Sequence, residues 1–301
     1  MTATIASVIV NYNSGAELRH ALQSLADDLG ATWEAVVVDN ASSDGSPGVA
    51  REFGPQVRLV ANATNVGFAR GVNQGLAATT APLVLIMNPD CRLLPGATAE
   101  LVAELERHPK CAVVGPRILD PDGAVQGSAR GDPDMFTGLF GRTSFLRRLL
   151  PGLSVSKRNV VPADAVHGQS GSVTVDWVSG ACMLARREAL AQVGGFDGRY
   201  FLYWEDADLC RRLRAKGYEI RHAPGATAVH QVGKSSETAR AASVRAFHDS
   251  AYLYYSTHVA KGKWNPKRAA ARALLAIRCA WRLQSVRANS QLPTPNSQGD
   301  P

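Results

Sequence analysis

The sequence predicts an α/β protein built on a mostly parallel sheet with crossover helices, on three observations. Short apolar, β-branched runs recur at residues 6–10, 35–38, 57–60 and 83–87. Segments with apolar residues at helical spacing fall between or after them, at 17–29, 69–78 and 97–107. Polar residues follow directly on the strands, at Asn11, Asp39 and Asn88 to Asp90. In parallel sheets ligands gather at the carboxyl ends of the strands.

Taken in order, residues 6–10 are a buried strand leaving into the loop Asn11-Tyr12-Asn13-Ser14-Gly15. Leu18, Ala21, Leu22, Leu25 and Leu29 line one face of the first helix. Ala35 to Val38 is a second buried strand, stopping at Asp39-Asn40, and Leu83 to Met87 is the most apolar one. The stretch 123–171 is irregular, with glycine, proline and polar residues around one apolar patch. In that patch Phe136, Leu139, Phe140, Phe145, Leu146, Leu149 and Leu150 interleave with Arg142, Arg147 and Arg148. Such a mixture suits a segment on a membrane surface or an amphipathic helix capping the core. Beyond Pro266 a helix is expected to about Ala288, although Leu275, Leu283 and Val286 do not share a face with Leu274, Ile277 and Trp281. The polar, proline-bearing residues 289–301 read as a disordered tail. The domain reading is one α/β unit at 1–240, a basic helical extension at 241–288, and the tail.

The 301 residues, 45% hydrophobic and 20% charged, are those of an ordinary globular protein. No run approaches the roughly 20 apolar residues that cross a bilayer, and no basic segment followed by an apolar one opens the chain. The expected location is therefore the cytoplasm. Five scattered cysteines without C-x-x-C spacing argue against a zinc site or a disulfide framework. The net charge of +7 is concentrated late: 250–299 holds no acidic residue, while Lys261, Lys263, Lys267, Arg268, Arg272, Arg278, Arg282 and Arg287 accumulate. A basic end attracts the phosphates of anionic lipid or nucleic acid, or is a solvated face. With no nucleic-acid motif, nucleic acid is not an expected partner.

Four segments carry candidate chemistry. Asp39-Asn40-Ala41-Ser42-Ser43-Asp44-Gly45 puts a carboxylate where it can accept hydrogen bonds from a nucleobase or ribose, though similar turns end many strands. In Asn65-Val66-Gly67-Phe68-Ala69-Arg70-Gly71-Val72-Asn73-Gln74-Gly75, Gly67 and Gly71 allow close approach of a ligand, Arg70 can meet a phosphate, and Asn73 lies on the following helix. The alternative is a glycine-rich helix start packed on the sheet. It matches neither the dinucleotide fingerprint nor a Walker A loop, which argues against a nicotinamide oxidoreductase or an NTPase. Asn88-Pro89-Asp90 can hold a hard divalent cation, or be a plain turn. Phe201-Leu202-Tyr203-Trp204-Glu205-Asp206-Ala207-Asp208 places three carboxylates within four positions behind aromatics and ahead of Arg211 and Arg212. That suits a general base beside a bound anion, or an acidic helix start.

In their order these segments resemble the family-2 inverting glycosyltransferases of the GT-A fold, especially bacterial rhamnosyltransferase-like members. Val8 to Asn13, Val178-Ser179-Gly180-Ala181-Cys182, Gly194-Gly195-Phe196-Asp197 and Val229-His230 join them, so the likeness covers roughly residues 5–235. It implies a Rossmann-like mixed sheet flanked by helices that binds a nucleotide sugar, with a helical carboxy-terminal extension. Asp39 would contact the base of a dTDP- or UDP-linked donor, with Asn11, Asp44, Asn65, Gly67, Arg70, Asn73 and Asn88 around it. Asp90 would bind Mg²⁺ or Mn²⁺, completed by His230; Asn88 stands where many relatives have a first aspartate. Asp206 would be the general base with Glu205 beside it, and Trp204, Asp208 and Gly180 would meet the acceptor; Glu205 and Asp208 could instead orient Arg211 and Arg212.

The function so implied is transfer of a sugar, rhamnose from dTDP-rhamnose, to a polyprenyl-diphosphate-linked saccharide at the inner face of the cell membrane, with the enzyme bound peripherally. The alternatives are a same-fold enzyme with a soluble or polysaccharide acceptor, or a non-catalytic nucleotide-sugar or lipid-phosphate binder. A homo-oligomer stays open.

Overall fold

In the computed structural model, which describes residues 5–30, 33–132, 171–231 and 240–290, the four expected strands lie side by side. They are β1 (Ile5–Asn11), β2 (Glu34–Asp39), β3 (Val57–Ala61) and β4 (Leu83–Met87), paired in parallel in the order β3-β2-β1-β4. β1 is covered on both faces, which is why it reads as a continuous apolar run. Ile9 enters one core layer with Leu18, Leu22, Leu25, Leu85 and Leu101, while Val8 and Val10 enter the other with Phe68, Val72, Ile86 and Leu209.

Helix α1 (Glu17–Leu29) and α2 (Ser46–Glu52) are followed by α3 (Phe68–Ala77) and α4 (Ala97–Arg107). The longer three fall within two residues of the sequence expectation. α3 approaches the sheet through glycine: a Cβ on Gly71 would lie 2.9 Å from Val10 Cγ1, and one on Gly75 2.3 Å from Val8 Cγ1. No larger residue fits there without displacing β1.

The second half turns the sheet mixed. β10 (Cys182–Arg186) runs antiparallel between β4 and β6 (Cys111–Leu119). β11 (Glu219–His230) lies parallel to β6 and antiparallel to the short β5 (Cys91–Leu93). With β8 (Val173–Thr174) beside β11, the sheet has nine strands among the described residues; β7 (Ala129–Arg130) and β9 (Trp177–Val178) form a separate pair. The mostly parallel expectation thus holds for the first half only.

α5 (Arg187–Gln192) and α6 (Glu205–Ala215) precede β11. α7 (Arg240–Tyr254), a π-helical turn (Tyr255–Val259) and α8 (Pro266–Ser290) close the described chain. Residues 289 and 290, expected in the tail, end α8; the rest of that tail and the 136–150 patch lie outside the described residues. Among the described residues, no helix is long and apolar enough to cross a membrane.

Candidate active site

Asn11 and Asp39 are register partners at the carboxyl ends of β1 and β2. Asn11 is fully buried, and its Nδ2 donates to Asp39 Oδ1 (2.7 Å) and Ser46 Oγ (2.8 Å), while the Ser14 hydroxyl donates to its oxygen. The Ser42 N–H donates to Asp39 Oδ2 (3.1 Å). Asn11 is therefore an internal strut that aims Asp39, which keeps 4% of its surface. Asp44 shapes the turn. Burial raises its pKa, but hydrogen bonds from the Ser46 hydroxyl and N–H and from the Gly15 N–H outweigh this and lower it overall.

The Asn65–Asn73 segment fastens one half of the site to the other. Asn65 Oδ1 accepts from the Gly67 N–H (2.9 Å), and the Phe68 N–H donates to the Phe201 carbonyl (2.7 Å). Gly67 has φ 86°, and a Cβ on it would lie 2.5 Å from that carbonyl oxygen. Arg70 Nε donates to the Gly198 carbonyl (2.9 Å). The Asn73 amide takes both backbone groups of Phe196, donating to its carbonyl (2.7 Å) and accepting from its N–H (2.9 Å). The close packing expected of the glycines is here, directed at the protein's own 195–201 loop. Asn73, expected beside the donor, is engaged by that loop.

That loop leads into Tyr203 and Trp204, both at φ 69°, a left-handed pair of bulky residues immediately before α6. Such strain, of order 1–3 kcal/mol per residue, concentrates at functional sites. The acidic helix start is observed: Glu205, Asp206 and Asp208 occupy the first turn of α6, where the helix dipole favours anions. Their environments differ. Glu205 is buried, Oε2 has no hydrogen-bond partner among the described residues, and burial first, then the charge of Asp206, push its pKa well above the carboxylate range. Asp208 is 1% exposed, with Oδ2 accepting from Arg212 Nε (2.7 Å) and Oδ1 2.6 Å from His258 Nε2. Of the two expectations for Asp208, the contact present is the one with Arg212; with a histidine fifty residues on also reaching it, Asp208 ties α6 to the π-helical turn. Asp206 is half-buried; Oδ2 accepts from the Gly180 N–H (3.0 Å) and Oδ1 from the Ala207 N–H (2.8 Å). Gly180 thus orients the candidate base through its backbone. The Trp204 ring packs on Phe247 (5.8 Å) and Tyr254 (5.4 Å) of α7.

Asp90 and His230 meet at the same sheet edge, since His230 ends β11 opposite Cys91. His230 Nε2 lies 3.2 Å from Asp90 Oδ1 and 3.2 Å from Asn88 Nδ2. The Asn88 N–H donates to the Ala181 carbonyl (2.9 Å), next to the Gly180 that holds Asp206. No group of three or more His, Cys, Asp or Glu side chains able to hold a metal occurs among the described residues. One carboxylate and one imidazole fit a divalent cation whose other positions are filled by diphosphate oxygens and water, rather than a closed protein cage.

Several partners escape sequence reasoning: Ser42 and Ser46, the Phe196 backbone, His258, Phe247, Tyr254 and Gln126. Gln126 hydrogen-bonds His230 across 104 positions, and no local spacing announces such a pair.

The model of the glycosyl transferase family 2 matches residues 7–194. An N-acetylglucosaminyl-diphospho-decaprenol L-rhamnosyltransferase of Mycobacterium tuberculosis is 32% identical over 294 residues, covering 92% of each chain. Among solved structures, a mannosyltransferase from Pyrobaculum calidifontis in complex with GDP-Man and Mn²⁺ superposes with TM-score 0.58 at 19% identity, over 98% of this chain and 77% of that one. GalNAc-T7 with UDP, GalNAc and Mn²⁺ gives 0.60 at 15%, over 98% and 60%. These two share the fold, the GT-A arrangement. By the extent of the family match and of the mycobacterial relative, the chain belongs to glycosyl transferase family 2.

Proposed function

We propose that this enzyme transfers rhamnose, with inversion, from a dTDP-linked donor to a hydroxyl of a polyprenyl-diphosphate-linked saccharide at the inner membrane face. The observation that carries the reaction type is the division of the α6 cluster. Glu205 is buried and held toward its neutral form, Asp208 is paired with Arg212 and His258, and Asp206 alone of the three stands partly open. The sugar and acceptor rest on the mycobacterial relative.

In this reading Asp206 takes the proton of the acceptor hydroxyl as that oxygen forms its bond to the anomeric carbon. The bond from that carbon to the diphosphate oxygen breaks on the opposite face, so one displacement inverts the configuration with no covalent enzyme intermediate. The N–H groups of Gly180 and Ala207 fix the carboxylate, which limits the orientations lost on reaching the transition state. Asp39, braced by Asn11, faces the donor's nucleoside. Asp90 and His230 would hold Mg²⁺ or Mn²⁺, which when bound supplies positive charge for the leaving diphosphate.

Asp206→Asn should keep nucleotide-sugar binding and lose about 10²–10⁴-fold in kcat; a near-normal kcat removes Asp206 from its role. Treatment with EDTA should abolish turnover and Mn²⁺ restore it. Full activity in chelator would leave the Asn88–Asp90 loop a plain turn.

The membrane part of the proposal draws on α8. It buries Ala271 and Leu275, while Leu274 (49%), Ile277 (68%) and Trp281 (56%) stand outward, with Trp264 90% exposed before the helix. Of the two apolar sets that share no face in the sequence, Leu275 is buried, whereas Leu274, Ile277 and Trp281 stand in solvent. An exposed apolar stripe beside lysines and arginines matches an anionic bilayer surface.

A further inference from the structure

The orientation of the Gln126 amide is set by two acceptors. Its Nε2 lies 2.7 Å from Asp120 Oδ1 and 2.8 Å from the His230 carbonyl oxygen, and neither a carboxylate nor a carbonyl can donate. The amino end must occupy that position. Oε1 is therefore the atom 3.2 Å from His230 Nδ1. Oε1 only accepts, so Nδ1 carries a proton. A neutral imidazole has a single N–H, which leaves Nε2 with its lone pair. That lone pair lies 3.2 Å from the Asn88 amino group, whose hydrogen bond a cation would displace, and 3.2 Å from Asp90 Oδ1. Nε2 and Oδ1 are then two electron-pair donors side by side, the arrangement a cation needs and a simple hydrogen-bonded pair does not.

Backbone pairing brings Gln126 there. Its N–H donates to the Ile118 carbonyl (2.8 Å) next to the end of β6, and β11, which ends at His230, is the parallel neighbour of β6. Gln126 is 9% exposed, so little water competes for its amide.

We infer that Gln126 is a positioning residue that locks His230 in the Nδ1–H tautomer and so presents Nε2 as a ligand beside Asp90. Its purpose rests on the cation site proposed above; the tautomer itself does not. A partner on the far ring nitrogen is how metal-binding histidines are commonly oriented, and its loss typically weakens metal affinity 10–100-fold.

The test is ¹⁵N NMR of the full chain with labelled histidine, metal-free at pH 8.5, with the His230 signals assigned by their loss in His230→Asn. The wild type should show a protonated Nδ1 and an unprotonated Nε2. Gln126→Leu should shift the population to the Nε2–H form. In parallel, Mn²⁺ binding in the presence of dTDP or UDP, followed by EPR, should weaken about 10–100-fold in Gln126→Leu. A wild-type ring carrying its proton on Nε2, or on both nitrogens, overturns the inference even if Gln126→Leu fails to fold. A folded Gln126→Leu with unchanged tautomer and unchanged Mn²⁺ affinity overturns it too. A wild type that binds no Mn²⁺ overturns the cation reading separately, and the NMR spectrum still decides the role of Gln126.

Discussion

Glu205, Asp206 and Asp208 lie on one helical turn and meet three different environments. The sequence predicts the cluster, and the resemblance singles out Asp206, but which carboxylate is open depends on groups far along the chain: Gly180, His258 and the aromatic lid of α7. Glu205 carries a testable consequence. Its folded-state pKa is raised, by burial first and then by the charge of Asp206, above the ordinary 4.5. The stability it contributes is therefore complete below 4.5 and is lost as pH rises through the folded value. Glu205→Gln, neutral at every pH, lacks that loss. Urea unfolding at several pH values should show the variant gaining on wild type as pH climbs above 4.5, and parallel profiles would refute the burial argument.

At the scale of elements, periodicity located β1, β2, β4, α1, α3 and α4 within a few residues, because each buries a regular face; β3 and α8 bury few residues and are marked by a short apolar run and by Pro266. The shorter pieces, such as β7, β8 and β9 at two residues each, have no period to detect. Nor does a sequence state that β10 enters antiparallel: a short apolar run such as Cys182 to Ala185 fits either direction. The glycines of α3 show a similar split. The sequence reading offers both ligand approach and packing on the sheet; Gly71 and Gly75 turn out to face β1, whereas Gly67 faces Phe201. Gly75→Ala would place its Cβ 2.3 Å from Val8 Cγ1 and should destabilise by about 1–3 kcal/mol, read as a lower midpoint in denaturant at unchanged slope. A midpoint equal to wild type would mean that α3 can slide off β1 without loss.

For the whole molecule, the carboxy-terminal helices join the candidate site to the proposed membrane surface. α7 covers Trp204 through Phe247 and Tyr254, the Ser250 hydroxyl donates to the Leu202 carbonyl (2.9 Å), and His258 reaches Asp208, while α8 packs on α7 and carries the exposed stripe. If that stripe docks on lipid, wild type should co-sediment with vesicles containing anionic lipid, less so as salt rises. Ile277→Glu/Trp281→Glu should weaken this at least tenfold while leaving hydrolysis or transfer with a short soluble acceptor unchanged. Equal binding by wild type and variant, or self-association of wild type abolished by the substitutions, would assign the stripe to another partner.

Taken alone, the sequence determined the parallel first half, the strand tips that hold Asn11, Asp39 and Asn88–Asp90, the basic carboxy-terminal end, and the family resemblance. All of these arise from local pattern: burial on one face shows as periodicity, and a turn shows as its residues. Only the tertiary structure decided which of those polar residues brace another side chain. It showed Asn11 holding Asp39, Asn73 clasping Phe196, Asp208 bound by His258, and Gln126 against His230. Hydrogen bonds between residues tens to more than a hundred positions apart leave no trace in spacing, because the sheet order that brings them together is a property of the whole packed chain.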